Sequence, residues 1–304
     1  MASNKPRDMA ASVRQRLLNH STAKKADPNL VLIWYGLERF LYRLSLSAHC
    51  DRFVLKGAML FRLWGGPDFR STKDLDLLGF LRDEAEVVRE AFVSICEQTV
   101  EDDGVRFESS SVRVAEIREG QEYGGFRVLL TAKLGTAVLP LQIDVGFGDA
   151  ITPAPKYADF PSLLDQPQPH IRIYPRETVV AEKFEAMVQR GMANSRMKDY
   201  YDLWFMSRRF DFDGSLLSTA IRATFDRRAT ALPETVPIGL TNEFAADLSH
   251  MRQWTAFSRR IGSEKPPALA DVIKVVGEFV LPPVRAAFRS RAFPQRWTPE
   301  SAWH

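Results

Sequence analysis

Two aspartates, Asp74 and Asp76, stand one residue apart in the otherwise apolar segment RSTKDLDLLGF. On a β-strand, side chains alternate between the two faces, so both carboxylates would point one way while Leu75 and Leu77 point the other. Two like charges side by side repel each other, and burying them costs desolvation energy. The segment therefore predicts either a water-exposed pair of carboxylates or a pair that holds a cation.

A third carboxylate stands in the segment LPLQIDVGFGD. If this segment is a strand, Asp144 faces away from Ile143 and Val145, and pairing with the DLDLL strand would bring it near Asp74 and Asp76. Mg²⁺ prefers oxygen ligands and is often completed by substrate phosphates. Two such ions can hold the attacking and leaving oxygens of a displacement at phosphorus. The three carboxylates therefore predict a site for a divalent cation and a phosphate substrate.

Lys183 lies on the apolar side of a helix that is predicted to start near Glu177. Val180 and Met187 stand three residues before it and four residues after it, so all three share one helix face. A lysine in this position either extends its ammonium to the surface or meets an anion. A nucleoside triphosphate would supply such an anion, because a compact ammonium binds phosphate oxygens well.

Two further aspartates stand in the segment SRMKDYYDLWFM. Asp199 and Asp202 are three residues apart and therefore share a helix face. Asp199 also fits the first helical turn, where the helix dipole favours an acid. Asp202 stands beyond that turn, so its carboxylate either orients or deprotonates an attacking hydroxyl, or pairs with Lys183 or Lys198.

The elements that must position these residues divide the chain into two predicted domains. Residues 1–174 are predicted to form an α/β domain with N-terminal helices, and residues 175–304 an α-helical domain that completes the active-site cleft. Helical periodicity runs from about Asp8 to His20 and from Asn29 to Leu46. The Pro-rich segment ITPAPKYADFPSLLDQPQP is interpreted as a connector. Strands are predicted in RFVLK, DLDLLGF, VRFESSSVRVAEI, FRVLLTAKLG, LPLQIDVGFGD and HIRIYP.

Every element after Pro175 is predicted to be helical. The helix in RETVVAEKFEAMVQRG would end at Gly191, and the helix in SRMKDYYDLWFMSRRF would have Ser195 as its N-cap. Further helices are predicted near residues 216–225, 242–260 and 268–279.

Composition narrows the class of protein. The chain has 304 residues, of which 45% are hydrophobic and 26% are charged, as is ordinary for a globular protein. No apolar run approaches the roughly 18 to 20 residues of a membrane span. The N-terminus has basic residues but no apolar signal core, which favours a cytoplasmic protein. Cys50 and Cys96 lack CxxC spacing, so reduced thiols are expected rather than a disulfide or a zinc site.

Basic residues concentrate at both ends of the chain, although the net charge is only +3. Basic side chains mixed with aromatic ones suit a nucleic-acid strand, which presents phosphates and flat bases. The alternative is a pair of solvated tails whose aromatic residues fold back on the protein. The residues concerned are Lys5, Arg7, Arg14, Arg16, Lys24 and Lys25, then Arg285, Arg289, Arg291 and Arg296 with Phe288, Phe293 and Trp297.

Four parts of the sequence resemble, in chain order, the motifs of the AbiEii/AbiGii toxin family. They are KGAMLFRLWGG with RSTKDLDLLGF, then IDVGFGD, YPRETVVAEKFEAMVQRG and SRMKDYYDLWFM. The resemblance runs from about residue 8 to residue 209, and the family comprises nucleotidyltransferases that are the toxin halves of type IV toxin–antitoxin systems. It implies an α+β fold, with a polymerase-β-like nucleotidyltransferase core containing a mixed sheet, followed by an α-helical C-terminal region.

The resemblance also implies catalytic roles for the acidic residues and the lysine. Asp74 and Asp76 would bind the metal ion, Mg²⁺ or Mn²⁺, together with the triphosphate. Lys183 would contact phosphate, and Asp199 or Asp202 would be the acid of the fourth motif. The metal ligands are thus predicted as Asp74, Asp76 and Asp144, and the catalytic residues as Asp74, Asp76, Lys183, Asp199 and Asp202.

The nucleotide-binding residues are predicted as Lys56, Gly57, Ala58, Thr72 and Lys183. One departure stands among them, because the superfamily has Gly-Ser or Gly-Gly where this chain has Gly57-Ala58. Backbone amides at the following helix N-terminus can still bind phosphate, but a serine hydroxyl contact is missing.

The predicted reaction is transfer of NMP from an NTP to an acceptor hydroxyl, with release of pyrophosphate. The expected acceptor is the 3′ end of tRNA, as in some members of the family, and the expected partners are the NTP, this RNA and a cognate antitoxin protein, with no membrane. One alternative keeps the chemistry but makes a protein the acceptor, either a target or the antitoxin. The other alternative is a nucleotide- or RNA-binding module without turnover.

Overall fold

The computed structural model describes residues 8–65, 72–117, 124–261 and 265–304 of the chain. Lys5 and Arg7 lie outside these residues. The described residues form two compact units, the first made of residues 8–65, 72–117, 124–148 and 156–173, and the second of residues 149–155, 174–261 and 265–304. The division into domains 1–174 and 175–304 stays a prediction. No helix in the described ranges is long and apolar enough to cross a membrane.

A seven-stranded sheet forms the centre of the first unit. Its spatial order is β3-β4-β5-β2-β1-β7-β6. The sheet is mixed, since β2 runs parallel to β5 and β1 parallel to β7, whereas β1 and β2 are antiparallel. The strands are β1 (Phe53–Lys56), β2 (Asp74–Gly79), β3 (Val105–Glu116), β4 (Gly125–Leu134), β5 (Ala137–Phe147), β6 (Lys156–Asp159) and β7 (His170–Ile173).

Helices of the first unit pack against the apolar face of this sheet. A Cβ atom at Gly36 would lie 3.1 Å from Leu141 Cδ2, so α2 approaches β5 closely. Phe92 of α4 stacks on Phe40 of α2, with ring centroids 5.2 Å apart, and meets Phe53 of β1 edge-on. The helices are α1 (Met9–Lys24), α2 (Pro28–Leu46), α3 (Leu60–Gly65) and α4 (Ala85–Glu97).

Helices dominate the second unit, but it also contains a small sheet. Three short strands pair in the order β10-β9-β8. The prediction that every element after Pro175 is helical is therefore wrong, because strands of two or three residues carry no readable periodicity. The elements are α5 (Arg176–Arg190), α6 (Met197–Ser207), β8 (Phe212–Asp213), α7 (Gly214–Arg227), α8 (Asn242–Ala246), α9 (Leu248–Ser258), α10 (Leu269–Phe288), β9 (Arg296–Thr298) and β10 (Ala302–Trp303).

Three other expectations about elements need correction. The Pro-rich connector contains β6, which pairs with β7, and the ring of Tyr157 stacks on that of His170. The N-cap of α6 is Arg196 rather than Ser195, because the turn before it closes on the side chain of Asn194. The helix predicted for residues 242–260 is divided at Asp247, whose carboxylate caps α9.

The predicted fold class is confirmed. The described residues form an α+β core with a mixed sheet, followed by a mainly α-helical C-terminal region. Both cysteines are free thiols, as expected, and burial raises the pKa of Cys96 to about 12.

Candidate active site

Asp74 and Asp76 project from β2, the strand at the centre of the sheet. Leu75 and Leu77 are buried on the helix-covered face, whereas Asp74 is exposed and Asp76 is half-buried on the other face. The alternation predicted from the DLDLL segment is thus present. It places two carboxylates on the open side of the sheet, where water and a ligand can reach them.

Asp144 stands opposite Asp76 on the neighbouring strand. Because β2 and β5 are parallel and pair Asp76 with Asp144, the two side chains leave the same face. The same row continues on both sides, since Lys56 of β1 pairs with Asp76 and Arg127 of β4 pairs with Asp144. Four strands thus present a row of charges in which two neighbouring acids are flanked by a lysine and an arginine.

Arg127 forms a two-pronged ion pair with Asp144. Its Nε donates to Oδ1 at 2.9 Å, and its Nη2 donates to Oδ2 at 2.8 Å. Within the described ranges, no group of three or more His, Cys, Asp or Glu side chains is arranged to hold a metal ion. The assignment of Asp144 as a metal ligand therefore stays a prediction, and in this conformation Asp144 accepts from Arg127 instead.

Gly57 lies directly beneath the carboxylate of Asp76. A Cβ atom at this position would fall 1.9 Å from Asp76 Oδ2, and the backbone has a φ of +71°. Both features require glycine, because side chains other than hydrogen are strained at positive φ and would collide with the carboxylate. Gly57 begins a three-residue 3₁₀ helix that leads into α3, and Ala58 follows it in that turn.

Thr72 positions the start of β2. Its Oγ1 lies 3.2 Å from the carbonyl oxygen of Asp74 and 3.4 Å from the backbone nitrogen of the same residue. Its own carbonyl accepts from Trp34 Nε1 at 2.6 Å. These contacts hold the backbone that carries Asp74. The predicted contact of Thr72 with a nucleotide stays a prediction.

The second unit holds the other group of predicted residues. Lys183 Nζ of α5 lies 2.7 Å from Asp199 Oδ1 and 2.7 Å from Asp202 Oδ2 of α6. The two carboxylate side chains are 1% and 0% exposed, and the lysine side chain is 12% exposed. The ammonium of Lys183 therefore contacts two carboxylates of the protein and does not extend to the surface.

Asp199 has a second cation, Arg196, whose Nε donates to Oδ2 at 2.6 Å. Burial by itself would raise the pKa of Asp199, but the charges of Lys183 and Arg196 outweigh burial and hold it well below its usual range. Asp199 is consequently ionised at neutral pH and would be a weak base. Sequence reasoning did not assign Arg196, although its spacing of three residues from Asp199 is typical of a helical ion pair.

A buried cluster around Arg228 anchors the helix that carries Lys183. The Arg228 guanidinium lies 2.8 Å from Glu185, 3.1 Å from Asp149 and 3.5 Å from Glu182. Burial opposes its charge, but the three carboxylates together raise its pKa. The sequence carries no signal for this cluster, because its members come from separate segments.

The sequence of this chain matches the family model described as "Nucleotidyl transferase AbiEii toxin, Type IV TA system" over residues 39–290. No curated protein matches it. Two solved structures from Helicobacter pylori are similar to this chain. A candidate nucleotidyltransferase shares 13% sequence identity, and the match covers 84% of this chain and 93% of that chain with a TM-score of 0.44. The protein JHP933 shares 14% sequence identity, and the match covers 84% of this chain and 90% of that chain with a TM-score of 0.43. Since the family model spans most of the chain, this protein belongs to the AbiEii nucleotidyltransferase toxin family of type IV toxin–antitoxin systems.

Proposed function

We propose that this nucleotidyltransferase is metal-dependent and transfers NMP from an NTP to the 3′-terminal hydroxyl of tRNA. The observation that carries the proposal is the placement of Asp74 and Asp76 on the open face of β2, with Asp144 in register beside Asp76. Carboxylates on neighbouring strands supply oxygen ligands of the kind that a phosphate-bound divalent cation prefers.

The carboxylates of β2 fit a magnesium or manganese ion. Mg²⁺ is usually bound through one or two carboxylates and completed by water and substrate phosphates, so Asp74 and Asp76 suffice as the protein ligands. When bound, the ion would neutralise charge on the triphosphate. Asp144 would join Asp74 and Asp76 only after giving up its ion pair with Arg127.

The remaining roles follow from charge and position. Lys183 is the proposed phosphate contact, and the two carboxylates of α6 hold its ammonium in place. Asp199 and Asp202 make equivalent contacts with Lys183, and one of the two is the proposed acid of the fourth motif. Lys56, Gly57, Ala58 and Thr72 are proposed to line the nucleotide site beside Asp76.

The acceptor and the partners are proposed from family membership. A tRNA acceptor and NTP substrates imply that the protein acts in the cytoplasm, and a type IV toxin implies a cognate antitoxin. The main alternative is a protein acceptor, and the other is nucleotide binding without turnover, for which the Gly57-Ala58 departure is the argument. Gly57, however, keeps the close approach to Asp76 that an active site would need.

One experiment separates the three functions. The protein is incubated with each labelled NTP in turn, Mg²⁺ and total tRNA, and the products are resolved on a gel. Label on RNA is expected, and it should vanish in Asp76→Asn and on chelation of the metal. Label on protein would instead support the alternative acceptor, and the absence of any label would support a binding module.

A further inference from the structure

Three strands of the first unit present a broad open surface beside the candidate metal ligands. Alternation and register place one set of side chains from β3, β4 and β5 on the same face as Asp74 and Asp76, while the opposite face packs on helices. We call this surface the acceptor face. Its residues are Arg106, Glu108 and Arg113 of β3, Arg127, Leu129, Thr131 and Lys133 of β4, and Val138, Pro140, Gln142 and Asp144 of β5.

One row of this face leads directly from the metal ligands to a cation. Asp74 pairs with Gln142, Gln142 with Leu129, and Leu129 with Arg113. The row thus runs across four strands at the spacing of about 4.7–4.9 Å that separates neighbouring strands. Any chain that lies along it would reach from Asp74 to Arg113 without leaving the sheet.

Positive charge exceeds negative charge on the acceptor face. Its described residues on β3, β4 and β5 comprise four cations and two carboxylates. The Arg106 side chain is 75% exposed and that of Lys133 is 37% exposed, and both form ion pairs with the single carboxylate of Glu108. Arg113 is exposed and donates to the backbone carbonyls of Ser110 and Val112. Arg106, Arg113 and Lys133 are thus at least partly exposed to solvent, whereas Arg127 is held by its ion pair with Asp144.

A cavity of about 450 Å³ lies next to Asp74, between the first turns of α2 and strands β4 and β5. Aliphatic side chains, among them Leu30, Ile33 and Leu129, supply most of its wall. Polar groups of Asn29, Thr131 and Gln142 also line it, together with the charged side chains of Asp27, Lys73 and Asp74. Apolar walls with a few polar groups on a concave surface are typical of small-molecule sites. A nucleobase matches this lining, since it has flat apolar faces and hydrogen-bonding edges.

We propose that the acceptor face binds the acceptor RNA strand, with its terminal base in the cavity beside Asp74 and its phosphates on Arg106, Arg113 and Lys133. The inference rests on the proposed function and adds the surface on which the RNA lies. It places the terminal hydroxyl beside the carboxylates of β2. A peptide acceptor would not need three cations on one sheet face beside an aliphatic cavity.

The basic C-terminus is the rival surface for RNA. Its arginines are exposed, and Arg222 Nη2 donates to Ser290 Oγ beside them at 3.1 Å. Most of its aromatic residues, however, pack on one another: Trp297 and Trp303 contact Phe279, and Phe293 contacts Trp303, whereas Phe288 is exposed. The packed rings are therefore occupied in the protein, whereas the first unit has a cavity beside Asp74.

The test measures tRNA binding by filter retention across a salt series, without NTP. The variant R106Q/R113Q/K133Q is compared with R285Q/R289Q/R291Q and with the control R82Q/R89Q/K274Q, which removes the same charge from exposed residues elsewhere. Circular dichroism checks each fold. Each phosphate contact with a single strand contributes about 0.7 to the slope of log K against log salt, so the first variant should lower the slope by about 2. A slope equal to that of the control would overturn the proposal.

A second experiment tests whether the cavity holds the terminal base of the RNA or the base of the NTP. L129E places a negative charge in the cavity wall, and L248E, which changes an exposed leucine of α9, is the control. We expect L129E to raise the KM for tRNA at least tenfold while the Kd for NTP stays unchanged, and L248E to behave as wild type. Weaker NTP binding by L129E would mean that the cavity holds the base of the NTP, which contradicts the proposal. If wild type and L129E label RNA equally well, this inference fails but the proposed function stands. If the wild type never labels RNA, the proposed function is refuted as well.

Discussion

The carboxylate of Asp76 lies so close to the backbone of Gly57 that a single added Cβ atom would fall 1.9 Å from its Oδ2. The first residue after β1 therefore determines where a candidate metal ligand on β2 can lie. The departure from the superfamily pattern at Ala58 leaves this relationship untouched, because the contact involves the glycine and not the residue after it.

Gly57→Ala should abolish most activity without unfolding the protein. Either the Asp76 carboxylate or the backbone at residue 57 must shift by about 1 Å, and a misplacement of that size can cost about 10²-fold in rate. Ala58→Ser is the matched control, since it restores the hydroxyl of the superfamily pattern and should retain or raise activity. The measurement is the initial rate of label transfer at saturating NTP. Equal rates for Gly57→Ala and wild type would remove Gly57 from the site.

Asp74→Asn and Asp76→Asn should each abolish label transfer while the protein stays folded. Loss of a carboxylate removes a ligand of the proposed ion, and it also relieves repulsion between neighbouring acids, so the melting temperature should hold or rise. Asp226→Asn, which changes an exposed acid of α7, is the control and should keep full activity. If either Asp74→Asn or Asp76→Asn retains wild-type turnover and the same Mg²⁺ requirement, the assignment of that residue as a metal ligand is wrong.

The sequence predicts this part of the site well, because alternation along a strand is a local property. It places Asp74 and Asp76 on one face and identifies Asp144 as a candidate third carboxylate, and the parallel register then sets Asp144 beside Asp76. The ion pair of Asp144 with Arg127 could not be predicted in the same way. It depends on the register between β4 and β5, which no single strand encodes.

In the helical part of the site, too, contacts between residues distant in the sequence could not be predicted. The position of Lys183 on an apolar stripe reveals that it must meet an anion or reach the surface, but not which. The answer requires the packing of α5 against α6, which brings two aspartates to the ammonium. The strand β6 and the small sheet were missed for a related reason, since such short strands form through pairing with partners distant in the sequence.

Lys183→Ala should lower both nucleotide use and stability. Removal of one partner from a buried ion pair typically costs about 3–5 kcal/mol, and here the buried carboxylates of Asp199 and Asp202 both lose the ammonium of Lys183, although Asp199 keeps its ion pair with Arg196. The triple variant K183M/D199N/D202N should recover much of that stability and remain inactive, which separates folding from function. Urea unfolding and NTP titration of both variants provide the measurement. Full activity in the triple variant would exclude a phosphate contact by Lys183.

Lys183→Arg tests the geometry of the same contact. Arginine keeps the positive charge, but its planar guanidinium does not replace a compact ammonium between two carboxylates. We expect activity between those of wild type and Lys183→Ala, with the loss mainly in the apparent affinity for NTP. Wild-type kinetics in both Lys183→Ala and Lys183→Arg would show that the lysine has only a structural role.

Asp199 should make the unfolding of this protein sensitive to acid. Its folded pKa lies below the value of about 3.9 for an unfolded aspartate, so its contribution to stability is complete above about pH 4 and is lost as the pH falls toward the folded pKa. One proton taken up on unfolding corresponds to about 1.4 kcal/mol per pH unit at most. The free energy of unfolding of Asp199→Asn should therefore fall less steeply than that of wild type between about pH 4 and pH 2. Urea unfolding at several pH values measures this, with Asp226→Asn expected to follow wild type. Parallel curves for Asp199→Asn and wild type would mean that Lys183 and Arg196 do not stabilise the ionised carboxylate.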